Sequence, residues 1–158
     1  MLTDNKNWKT LLAITLIVGL FIAIGFVREF YFVNINCQLA YLYYDYDHSC
    51  LDKKLHELST WNYDELFDLK WYLTFLFTFL YLILTLVTIK TLFKYKAYLF
   101  WTIAGYSGAL FLSGILHIGG DLIGFPHEGY RLARVCMGVL QSPLPAMVLI
   151  PAFKLAKL

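Results

Sequence analysis

The sequence predicts an all-α membrane protein, a bundle of four transmembrane helices with a long aromatic-rich outer loop between helices 1 and 2. Three observations lead there. Hydrophobic residues make up 59% of the 158 positions and charged residues only 15%, far from the balance of a soluble domain. Four apolar stretches, at about 10–27, 71–89, 97–118 and 132–153, each approach the roughly 20 residues needed to cross a hydrocarbon core ~30 Å thick. Aromatic residues reach 18%, and many Tyr and Trp fall near the ends of those stretches, where amphipathic rings favour the headgroup layer. Amides in lipid must be satisfied within their own segment, and the alternating polarity of barrel strands is absent, so the stretches read as helices. A single membrane domain, 1–158, accounts for the chain.

The first stretch, preceded by Lys6 and Lys9, has the outline of a secretory signal. Its apolar run from Leu11 to Val27 exceeds a usual signal core and no A-x-A-like site closes it, so it reads as a retained anchor. Lys6, Lys9, Lys90, Lys94, Lys96, Lys154 and Lys157 flank the spans on one side, which the positive-inside rule assigns to the cytoplasm, with both termini there. Arg28, Lys53, Lys54, Lys70, Arg131 and Arg134 nearly balance that count on the other side. The acidic residues sharpen the asymmetry, because only Asp4 is inside. The location expected is the cytoplasmic (inner) membrane. With a net charge of +2 and no long basic run, nucleic acid is not an expected partner.

The outer connection, 28–70, carries its own signals. Leu51, Leu55 and Leu58 recur at helical spacing, which predicts a short amphipathic helix on the membrane surface. Asn62 with Glu65 reads as an N-cap and its reciprocal partner, with Asp64 in the first turn, so helix 2 starts near Tyr63 and projects beyond the bilayer. Cys37 and Cys50 share this connection and can form a disulfide if the space is oxidising. Cys136 follows two residues after Arg134 and reads as a packed thiol.

Chemistry, if present, belongs in the outer half, which holds all four histidines, all three arginines and ten of the eleven acidic residues. His117 and Asp121 share a face if helix 3 continues through Gly119 and Gly120. They are the candidate acid–base pair, and with His127 they are the candidate metal ligands, against the plainer reading of capping and ion pairing. His56-Glu57-Leu58-Ser59-Thr60 misses the H-E-x-x-H zinc pattern, since Thr60 stands at the second histidine position. Arg131, Arg134, Gly138, Gln141 and Pro145 form one stripe at spacings of three and four. Ionisable groups at membrane depth usually face an interior or a cavity, so this stripe, joined by Arg28, is the candidate site for a headgroup or anionic substrate. Snorkelling arginines paired with Glu29, Asp121 or Glu128 are the alternative. Pro143, Pro145 and Pro151 free the carbonyls of Val139, Gln141 and Met147, which predicts a kink or unwound turn at 141–145.

Two further stripes point to helix packing. Thr74, Thr78, Tyr81, Thr85 and Thr88 run down helix 2, where hydroxyls can bond across an interface. Ala104, Gly105, Gly108, Ala109 and Ser113 give helix 3 a small-residue face, as do Gly19 and Ala23 on helix 1.

Gly129-Tyr130-Arg131-Leu132-Ala133-Arg134, then Gln141-Ser142-Pro143 and Leu149-Ile150-Pro151-Ala152-Phe153, resemble the last helix of small four-helix membrane proteins found beside exosortase-type sorting enzymes. Arg28 closing helix 1 before an aromatic outer segment resembles the same pattern. The resemblance implies an accessory in surface-protein sorting or export. Exosortases resemble cysteine transpeptidases in which Cys, Arg and His follow in that order. Here His117 precedes Arg134 and Cys136, so no catalytic role passes to these residues.

The expected function is therefore an accessory or assembly protein that acts in the bilayer with a larger membrane protein, or with further copies of itself, and needs no cofactor. The competing expectation is a small membrane enzyme or lipid-binding protein, with Arg28, Arg131, Arg134 and Gln141 holding an anionic group and His117 and Asp121 acting on it. An ion pathway is least favoured, because the inner halves of the helices contain almost no ionisable residues.

Overall fold

A computed structural model describes residues 2–44, 51–93 and 95–156. The described residues form five α-helices, α1 (Leu2–Tyr44), α2 (Tyr63–Leu92), α3 (Lys96–Ile123), α4 (Pro126–Leu140) and α5 (Leu144–Ala156), with a 3-10 helix over Lys53–Thr60 between the first two. Three helices are long and apolar enough to cross a membrane, and four spans result if the bent pair α4 and α5 counts as one. The chain thus has the helical content and apolar lengths of a membrane protein. By its contacts it divides into two compact units, Ile22–Phe77 and the combination of Met1–Phe21 with Thr78–Leu158.

In the unit Ile22–Phe77 the expected loop is mostly helix. Instead of stopping at Val27, α1 continues to Tyr44. The extension forms because its apolar positions have somewhere to pack. Ile35 and Leu39 of α1 are buried with Leu58 of the 3-10 helix and Leu66 of α2, and Leu51, Leu55 and Phe67 pack around them. Burying each such side chain is worth about 1.5–3 kcal/mol. Where the leucine spacing predicted a short amphipathic helix on a membrane surface, the chain forms 3-10 turns interrupted at Leu55, and Leu51, Leu55 and Leu58 pack against α1 and α2.

Polar groups fix the ends of these elements. Asn34 Oδ1 accepts the Asp52 amide at 2.7 Å, and Asp52 Oδ1 in turn accepts the Lys54 amide at 2.8 Å. At the start of α2 the Asn62 amide donates to Glu65 Oε2 at 3.0 Å and the Glu65 amide to Asn62 Oδ1 at 2.9 Å. This reciprocal pair is the box read from the sequence. Cys37 is disulfide-bonded, whereas Cys50, its expected partner, lies outside the described residues.

In the other unit α3 and α4 form a close hairpin. Beyond its expected end near residue 118, α3 runs through Gly119 and Gly120 to Ile123. Gly124, at φ 83°, closes it. The Gly124 amide bonds back to Asp121 O at 3.4 Å and the Phe125 amide to Gly120 O at 2.9 Å, the pairing of a left-handed glycine cap. Pro126, the first residue of α4, has no amide to satisfy there. Where the helices cross, a Cβ on Gly120 would stand 2.6 Å from Gly129 Cα, and one on Gly129 would stand 2.5 Å from Leu116 O. Only glycine permits this approach.

The expected fourth helix, 132–153, is two helices bent by 65°. Further along, Ile89, Tyr98 and Phe153 are buried together beside Phe93, Leu149 and Ile150, with the Tyr98 and Phe153 rings 4.6 Å apart.

Candidate functional site

The break between α4 and α5 is built from three neighbouring residues. The Gln141 amide makes the last bond of α4, to Met137 O at 3.0 Å. Pro143 has no amide to give Val139 O, and the Ser142 hydroxyl takes that carbonyl at 2.7 Å. Ser142 Oγ also accepts the Leu144 amide at 3.2 Å and so caps α5. Two of the groups orphaned by the unwound turn are thereby satisfied inside it, as burial in an apolar medium demands.

The turn directs Gln141 inward. Its side chain is 3% exposed and Nε2 donates to Thr78 Oγ1 at 3.2 Å. Farther down α2, Thr85 is fully buried; its Oγ1 donates to Tyr81 O at 2.8 Å and stands 3.0 Å from Tyr106 Oη. A hydroxyl has one proton, so Tyr106 is the donor in the second contact. Thr74, Thr88 and Thr102 likewise donate to the carbonyl four residues back. The threonine stripe thus serves packing within the chain.

The partner of Thr85 belongs to a pattern that the sequence carries. Tyr98, Thr102 and Tyr106 recur every four residues on α3 and all are buried, a polar stripe of which Tyr106 meets Thr85. Ser113 extends it, donating to Ala133 O at 3.1 Å.

The small-residue face behaves differently. A Cβ at Gly19, Gly105 or Gly108 would meet nothing within 4 Å, so these glycines do not bring helices of this chain together. Gly105 instead borders an apolar recess of about 260 Å³ that α5 opens as it bends away, with Tyr106, Leu140, Leu144, Pro145 and Val148.

The charged candidates do not share that recess. His117 and Asp121 lie on one face of the continuous α3 as expected, but the half-buried His117 ring packs edge-on against Tyr130 at 5.9 Å, whereas Asp121 is exposed. His127 is exposed at the start of α4. Among the described residues no group of three His, Cys, Asp or Glu side chains could hold a metal ion. The arginine stripe divides. Gln141 enters the interior, while Arg131 and Arg134 remain exposed on α4, with Arg131 2.7 Å from Glu128. Of a stripe expected to point inward or toward a partner, Gln141 is buried within the chain and the two arginines are not. Arg28 lies in the unit Ile22–Phe77, where its guanidinium is 3.8 Å from Glu29 and 5.3 Å from the centre of the Phe32 ring. Cys136 is free and half-buried.

The site as described can therefore bind apolar groups at the recess and anions along α4. Compared with known proteins, the chain matches no family model, no curated protein and no solved structure.

Proposed function

We propose that this chain is an accessory or assembly subunit of a larger membrane protein in surface-protein sorting or export, resident in the cytoplasmic membrane with both termini on the cytoplasmic side. The observation that carries the reading is the pair Gly105 and Gly108. A glycine inside a helix costs about 1 kcal/mol relative to alanine, and in membranes small residues lower that barrier to a neighbouring backbone. Here they face open space, and the apolar window of α3 is only 17% buried within the chain. A helix from another protein would use what this chain leaves unused. The disulfide at Cys37 supports an oxidising outer side, since such bonds persist in extracytoplasmic compartments.

The test is co-purification in mild detergent of the native chain and of Gly105→Leu/Gly108→Leu. An added Cβ meets no atom within 4 Å at either position, and the longer side chain at Gly105 enters the apolar recess, so the variant should keep its helicity while losing the associated protein. A monodisperse monomer without any partner, or a variant that retains it, would refute the reading.

A further inference from the structure

Contacts between α3 and α4 set the depth of two charges. Gly129 lies against Leu116 and Gly120, and one turn later Ser113 bonds to the Ala133 carbonyl. Arg131 and Arg134 consequently stand beside the apolar stretch of α3. Gly129, Ala133 and Leu140 occupy the buried face of α4. The arginines are on the exposed face, bordered by exposed Leu132, Val135 and Val139. Guanidinium groups beside such aliphatic side chains meet lipid or a partner, and at that depth their charge has to be answered.

The helix direction decides which. Side chains on a helix lean toward its N-terminus. The N-terminus of α4 adjoins the end of α3, so both arginines lean toward the headgroup layer, as the Arg131 contact with Glu128 one turn earlier illustrates. Glu128 answers one of the two charges; among the described residues Arg134 makes no ion pair.

We propose that Arg131 and Arg134 hold the phosphate of an anionic phospholipid in the leaflet at the Pro126 end of α4. Guanidinium forks match phosphate oxygens, and the surplus positive charge favours a lipid whose phosphate is not balanced by an ammonium. This site is independent of Gly105 and Gly108 and needs no partner protein.

Native mass spectrometry of the purified full chain tests it, with phosphatidylglycerol, phosphatidylcholine and inorganic phosphate as separate probes. Phosphatidylglycerol should bind about tenfold more tightly than phosphatidylcholine, Arg134→Gln should lose about that factor, and Glu128→Gln should bind several-fold more tightly. The opposite signs separate binding from misfolding, since a damaged fold would weaken both variants. Equal binding of the two lipids, unchanged binding in both variants, or saturation by inorganic phosphate at the lipid's concentration would overturn the proposal.

Discussion

Gln141 illustrates how much one side chain decides in an apolar medium. It sits where α4 ends, 3% exposed, and its amide reaches Thr78. Gln141→Leu should remove that bond, lowering stability by about 1–2 kcal/mol on the scale of interhelical bonds in membranes; a lower melting temperature in detergent would show it. Gly129 is the opposite case, chosen for what it lacks. A methyl there meets Leu116 O at 2.5 Å, so Gly129→Ala should cost about 1–3 kcal/mol as overpacking, whereas Gly108→Ala, with open space around it, should leave the melting temperature unchanged or raise it. Parallel thermal melts of the two variants would separate a glycine that packs from one that does not. Equal effects would contradict the crossing described for α3 and α4.

At the level of the element, helix ends and breaks follow local chemistry more closely than helix lengths do. The Asn62–Glu65 box starts α2, and Asn62→Ala should cost about 1 kcal/mol, read as faster amide exchange in its first turn. The turn at Ser142 and Pro143 couples a missing donor to a side chain that replaces it. Pro143→Ala would restore an amide for Val139 O, and the 65° bend between α4 and α5 should relax toward a straighter helix. A spin-label distance between α4 and α5 that stays unchanged in this variant would show that packing, not the proline, sets the bend.

Across the molecule, burial is unevenly distributed. Only 11% of the apolar window of α1 is buried within the chain, against 39% for α2. Exposed Leu, Ile and Phe along α1 need lipid or another protein around them, because contiguous apolar surface of that extent aggregates in water. In the unit Ile22–Phe77 a small core is joined to a disulfide at Cys37, and closing a loop in this way typically contributes about 2–4 kcal/mol. Cys37→Ser should therefore make α1 beyond Arg28 more accessible to added protease while α3 and α4 stay protected; cleavage no faster than in the native chain would argue that the leucine core suffices alone.

Length and apolarity by themselves determined that these segments are helices suited to a membrane, because an amide in hydrocarbon has no partner but its own helix. Adjacent residues likewise determined the cap at Asn62 and the break near Pro143, since those bonds span three or four positions. The extent of α1 beyond Val27 was not readable, because it depends on Ile35 and Leu39 meeting Leu58 and Leu66 from distant sequence. The fate of the arginine stripe was equally hidden. A periodic stripe defines a face, but only the crossing at Gly120 and Gly129 decides which way that face turns, leaving Arg131 and Arg134 outside while the bend carries Gln141 in.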